Sequence, residues 1–304
     1  MDNNKIMIVG TGNVGASIAF AILNQRTAVN EIILTDIIAK DAEGEAMDLN
    51  DALAVAPSYV KIKNGTYKDA RDCDIVVITA GAAQRPGETR LELLKKNVNI
   101  LKGMVEQIMA GGFDGIFLVV SNPMDVLTYY TWKFSGLPYE RVIGSGTVLD
   151  SARLRQRLAS YLNVNPKSVH AYQVGEHGDS EVTLYSTADM GGQMITTLLP
   201  RETLKGVSDF VRGEAYDIID KKGATYYGIA TCVTQILNCI FNDEMRILPI
   251  SSYDAFSDTC FGWPTVLGRE GVIRRLDIKI SEREGVDLQK SINVLKDAIS
   301  QVRF

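Results

Sequence analysis

The first half of the chain alternates short apolar runs with longer stretches of helical spacing. Residues 6–9, 31–35, 74–79, 115–120 and 142–143 are brief, rich in β-branched side chains and followed by polar or glycine-containing turns. They read as buried strands. Between them, residues 14–23, 90–109 and 126–134 carry apolar positions at helical intervals. Strands alternating with helices predict a parallel sheet covered on both faces.

The pattern changes near Gly146. Helices are predicted over 150–161 and across 204–240 with a break near 221–224, and a mixed region lies around 169–185. Short extended pieces such as 247–251 follow, and an amphipathic helix is predicted over 282–302. The expected organisation is an α/β fold: a Rossmann-type doubly wound parallel sheet over residues 1–145, then an α+β substrate domain over 146–304.

Composition narrows the field without naming a function. Of 304 residues, 46% are hydrophobic and 23% charged, which suits a globular protein. The net charge of -5, with Lys and Arg scattered among acids, argues against a nucleic-acid partner. Cys73, Cys232, Cys239 and Cys260 show neither CxxC spacing nor a neighbouring histidine cluster, so no metal site is expected and a reducing, cytoplasmic setting fits. The N-terminal Met1-Asp2-Asn3-Asn4-Lys5 lacks the features of a signal peptide, and no apolar run approaches the ~20 residues that cross a bilayer.

Chemistry enters directly after the first predicted strand, at Gly10-Thr11-Gly12-Asn13-Val14-Gly15. In a GxGxxG that opens a helix, the first glycine makes the tight turn and the second admits a pyrophosphate. The third lets helix and strand pack closely, while the helix N-terminus offers free N–H groups. Asp36, at the end of the second strand and about 20 residues on, is placed to accept hydrogen bonds from ribose hydroxyls and to repel a 2′-phosphate. The pattern predicts NAD as cofactor, although Asp36 alone could equally cap a turn.

Only two histidines occur, His170 and His177. His177, within Gly175-Glu176-His177-Gly178-Asp179-Ser180, suits a proton-exchanging group in an active-site loop. Asp150 and Arg153, three residues apart on one predicted helix, share a face. The carboxylate could hold His177 in one tautomer, and the guanidinium could grip a substrate carboxylate bidentately. Taken singly, each has a plainer reading: a turn histidine, a helix cap, a surface ion pair. The polar segment 81–90 follows a strand and leads into a long helix, where it could close as a lid and carry Arg90 to a ketone.

These motifs in this order resemble the lactate/malate dehydrogenase superfamily, and within it the bacterial-type L-lactate dehydrogenases. The resemblance runs end to end through GTGNVG, LTD, TAGAAQRPGETRLEL, VVSNPMDVLTYYTWK, GSGTVLDSARLR, GEHGDSE and KGATYYGIA. It implies that His177 gives a proton to a keto oxygen, with Asp150 orienting it, Arg153 clamping the carboxylate and Arg90 polarising the carbonyl. It further implies that Asn122 touches cofactor and substrate and that Ser145 lies on the cofactor. Thr225 would stand beside the substrate and Ile229 beside the nicotinamide.

Gln84 stands where malate dehydrogenases place an arginine, so oxaloacetate would bury an unpaired carboxylate. Neighbouring Arg85 points the other way on an extended loop. The implied reaction is pyruvate to L-lactate, with larger 2-keto acids such as 2-oxoisocaproate as the alternative. Residues 184–189 depart from the family's Trp-Ser-His run, which bears on the pocket and the interface rather than on the chemistry. A non-catalytic NAD(H) sensor would be expected to lose some of His177, Asp150, Arg153 and Arg90. Arg155, about 200° round the helix from Arg153, and His170 match positions that bind fructose 1,6-bisphosphate across a subunit interface in allosteric relatives. The resemblance also implies a homotetramer.

Overall fold

In the computed structural model, residues 4–82, 87 and 89–302 are described. The expected alternation is present. It comprises β1 (Lys5–Val9), α1 (Asn13–Asn24), β2 (Glu31–Thr35), α2 (Ala39–Ala52), β3 (Lys61–Asn64), β4 (Ile75–Ile78), α3 (Arg90–Ala110), β5 (Ile116–Val119), α4 (Met124–Ser135) and β6 (Val142–Gly144). These six strands pair in parallel in the order 6-5-4-1-2-3, the arrangement of a dinucleotide-binding sheet.

The later part contains α5 (Val148–Leu162), the short strands β7 (Val169–His170), β8 (Gln173–Val174), β9 (Val182–Thr183), β10 (Asp189–Met190) and β11 (Gln193–Met194), then α6 (Ile195–Leu198), α7 (Arg201–Lys222) and α8 (Tyr227–Phe241). It closes with β12 (Arg246–Asp254), β13 (Thr259–Gly268), β14 (Gly271–Arg275) and α9 (Glu282–Ser300).

Two expectations need correcting. The extended pieces expected around 247–251 to be short are long: β12, β13 and β14 run antiparallel and extend the parallel sheet through β6 to nine strands. In addition, α2 and β3 occupy a stretch where no element was expected.

The pleat sorts alternate residues of each strand to opposite faces. In β1, Ile6 and Ile8 join one apolar cluster with Ile18, Ile22, Val233 and Leu237, from α1 and α8. Met7 and Val9 join another with Val98, Leu101 and Val105 of α3 and Leu127 of α4. A third cluster fixes α5 against α7 through Leu154, Leu158, Val207 and Val211. The turns at the carboxyl ends of β1, β2, β5 and β6 carry Gly10, Asp36, Asn122 and Ser145. That edge is where open α/β sheets take ligands.

Candidate active site

The glycine turn is built as its spacing requires. Gly10 has φ +97, and a Cβ there would sit 2.6 Å from the Ala80 nitrogen. A Cβ on Gly15 would lie 1.9 Å from the Gly10 carbonyl oxygen, so only glycine lets α1 start this close to β1. A Cβ on Gly12 would meet open space. The helix begins there with no side-chain cap, leaving the N–H groups of Asn13 and Val14 for an anion. Thr11 is buried, and its N–H and hydroxyl donate to Asp36 Oδ2 at 2.8 and 3.2 Å. Asp36 Oδ1 accepts only from the Ile38 N–H among the described residues. These residues fit a dinucleotide: a pyrophosphate on the turn and ribose hydroxyls on Asp36.

Opposite this cradle, the loop after β8 holds His177. Its Nδ1 lies 2.6 Å from Asp150 Oδ2, and its main-chain N–H donates to Asp125 Oδ2 at 2.7 Å. Ser251 of β12 donates to the other Asp125 oxygen at 2.6 Å. Asp150 and Arg153 project from one face of α5, and Arg153 Nη1 donates to Asp150 Oδ1 at 3.1 Å. Arg153 is buried, with Glu214 of α7 3.7 Å from its Nε.

These contacts set the charges. Asp150 outweighs burial of the ring and raises the His177 pKa to about 9. Burial opposes ionisation of Asp150, but His177 and Arg153 together hold its carboxyl below the usual range. Burial pushes Asp125 up to about 7 against the bonds from Ser251 and His177. With Nδ1 committed to Asp150, His177 Nε2 is the atom left to exchange a proton; no other described residue bonds it.

Arg90, the first residue of α3, is 86% exposed, with Nη1 3.9 Å from Asp179 Oδ2. Tyr216 of α7 donates to the other Asp179 oxygen at 2.7 Å. Gln84 and Arg85 lie outside the described residues. Asn122 is exposed after β5, and its carbonyl accepts from Asn97 Nδ2 at 3.3 Å. Ser145 is buried after β6, with its N–H on the Val119 carbonyl at 2.9 Å. Thr225 is half-buried in the link between α7 and α8, and Ile229 is half-buried in α8 against the first cluster.

Arg155 and His170 are engaged locally. Arg155 Nε donates to the Ser151 carbonyl at 3.3 Å, and His170 Nδ1 lies 3.4 Å from Asp189 Oδ2.

Three supporting residues were not foreseen. Asp125 reads in sequence as an ordinary first-turn acid, and Ser251 is 126 positions away from it. Asn97 anchors the base of segment 81–89 through the Ala82 N–H at 2.8 Å. Its one signal is an amide beside the apolar stripe of Leu94, Val98 and Leu101. All four cysteines are free and buried, and no described helix is long and apolar enough to cross a membrane.

A dinucleotide cradle together with a histidine paired to a buried aspartate is the equipment of an NAD-dependent oxidoreductase. Residues 4–144 match the lactate/malate dehydrogenase NAD binding domain, and residues 147–303 match the lactate/malate dehydrogenase alpha/beta C-terminal domain. The chain belongs to the lactate/malate dehydrogenase family. It is 47% identical to L-lactate dehydrogenase 1 of Peribacillus psychrosaccharolyticus, over 98% of this chain and 96% of that one. It is 47% identical to L-lactate dehydrogenase 2 of Bacillus anthracis, over 98% of each. Its fold superposes on the ligand-bound minor L-lactate dehydrogenase from Enterococcus mundtii with a TM-score of 0.97 at 44% identity, covering 99% of both chains. For a lactate dehydrogenase from a Medee basin deep-sea metagenome library, the TM-score is 0.98 at 46% identity with full coverage of both.

Proposed function

We propose that the chain reduces pyruvate to L-lactate reversibly, with His177 as the proton donor and acceptor. The observation that carries the reading is the 2.6 Å contact between His177 Nδ1 and Asp150, which charges the ring and leaves Nε2 free. The glycine turn 10–15, Asp36, Asn122, Ser145 and Ile229 would hold NADH, which when bound supplies the hydride to the keto carbon. His177 Nε2 then gives its proton to the keto oxygen, and Asp150 stabilises the ring through the exchange. Arg153 pairs with the substrate carboxylate. Arg90 swings in to polarise the carbonyl, and Thr225 and Gln84 border the substituent on the keto carbon.

Gln84 favours pyruvate over oxaloacetate, because a neutral amide leaves a second carboxylate unpaired. The 2-hydroxyisocaproate type of substrate is the alternative, since it needs the same catalytic groups and a larger pocket. The domain division at 145/146 is supported by the change from parallel to antiparallel pairing beyond β6. A homotetramer is supported by Phe20 and Met47, which stand 55% and 65% exposed on α1 and α2. Arg155 and His170 would bind fructose 1,6-bisphosphate, and the buried cysteines fit a cytoplasmic enzyme.

Rates of NADH oxidation with pyruvate, oxaloacetate and 2-oxoisocaproate, each with and without fructose 1,6-bisphosphate, test the substrate and the effector. Pyruvate should give the highest kcat/KM. A preference for oxaloacetate overturns the reading of Gln84, and pyruvate kinetics indifferent to the bisphosphate overturn the effector site.

A further inference from the structure

The antiparallel end of the large sheet carries a second opening, away from every residue assigned to catalysis. Between the β12–β13 hairpin, β14 and α9 lies a cavity of about 530 Å³, within the size range of small-molecule sites. Tyr139, Tyr253, Phe261 and Trp263 give it an aromatic wall. Tyr253 is backed by Trp132 at 4.2 Å between ring centroids and meets Tyr139 at 5.6 Å. Trp263 Nε1 donates to the Leu276 carbonyl at 2.8 Å, so that ring is fixed in place.

Arg275 reaches the same cavity, its side chain only 17% exposed. Its Nη1 donates to the carbonyl and the hydroxyl of Ser252 at 2.8 and 2.7 Å, and the guanidinium stacks 4.3 Å from the Phe261 ring. The nearest carboxylate, Asp254, stands 3.9 Å from Nε, too far for a hydrogen bond. Ser257 N–H and hydroxyl hold the other oxygen of Asp254, Oδ2, at 2.9 and 2.7 Å, so Oδ1 faces Arg275 only at that longer distance. Nε and Nη2 thus have no hydrogen bond among the described residues. Burial, only partly offset by Asp254, lowers the Arg275 pKa to about 10, the mark of a cation short of counter-charge.

The remaining charged lining does not supply that counter-charge. Arg274 adds a second cation, Asp277 is exposed, and Glu140 is half-exposed. Water screens both acids.

We propose that this cavity binds a small planar aromatic carboxylate, with its ring against Tyr139 and Tyr253 and its carboxylate on the free donors of Arg275. A fork of N–H groups matches a carboxylate, and fixed aromatic rings favour a flat partner.

The test uses p-coumarate as probe, followed by ligand-observed NMR on the full-length enzyme saturated with NADH. Saturable binding with a Kd below about 1 mM is expected. Uncharged p-cresol and non-aromatic cyclohexanecarboxylate should each bind about tenfold more weakly. Tyr139→Ala, a surface change, should weaken p-coumarate by a similar factor and leave pyruvate reduction unchanged. Arg275→Gln should reduce the probe to the affinity of p-cresol; should that variant not fold, Tyr139→Ala and the two control ligands still decide. Absence of saturable binding below about 5 mM, equal affinity for p-cresol, or undiminished binding in Tyr139→Ala overturns the proposal.

Discussion

The two cationic groups assigned to the keto oxygen are held in opposite ways. His177 is fixed at its ring by Asp150 and at its backbone by Asp125, and both carboxylates are buried and anchored in turn by Arg153 and Ser251. Arg90 is 86% exposed, with a long contact to an aspartate that is itself 55% exposed. His177 is therefore held from several sides by buried partners, whereas Arg90 stands toward solvent. In the proposed reaction the fixed histidine costs no reorganisation, and the exposed arginine has room to close over substrate.

The sharpest way to break this contrast is to empty the fixed half. His177→Asn should lower kcat for pyruvate reduction by about a thousandfold while NADH still binds, as read by stopped-flow rates and by nucleotide fluorescence. Full activity in that variant would remove the basis of the mechanism.

Asp150→Asn comes next, with a loss of about a hundredfold and a displaced pH profile. Asp150 raises the His177 pKa to about 9, so in the native protein its proton is expected to persist to about that pH. Keto-acid reduction consumes that proton, so it should hold below this point and decline above it. Oxidation of the hydroxy acid needs the bare ring and should rise through the same range. Without Asp150, the main raising interaction is gone and burial favours the neutral ring, so the break in the reduction profile should move down by about two units or more. An unmoved break would mean that Asp150 does not set the charge of His177.

The mobile half predicts the smallest effect. Asp179→Asn removes the resting contact of Arg90, and an exposed pair of this kind is worth about 1 kcal/mol or less. Pyruvate KM should change by under about fivefold with kcat nearly constant. A collapse of kcat would show that Asp179 belongs to the fixed constellation.

The sequence was legible where chemistry and burial are local. The runs at β4 and β5 are apolar throughout and those at β1 and β2 are apolar but for their ends, because both faces are covered, and the glycine turn, Asp150 with Arg153, and the His177 loop each sit within a few residues. Helix α2 was missed because its buried positions are Ala42, Ala46 and Leu49, a stripe mostly of small side chains within a charged segment. Strand β3, KIKN, buries a single residue at the sheet edge. In β12 and β13, Pro249, Gly262 and Pro264 interrupt what is otherwise a buried strand pattern. The Asp125–Ser251 pair and the Asn97 anchor are contacts between distant segments, and no local pattern announces them.

The junction between β6 and β12 restricts how the molecule can breathe. Gly144 pairs with Ser251 across it, and Gly146 fits so closely that a Cβ would lie 2.3 Å from the Pro249 carbonyl oxygen. The parallel strands and the antiparallel hairpin are thus planks of one floor, joined where β6 meets β12. A change that stiffens that joint should toughen the protein against heat while leaving its turnover alone.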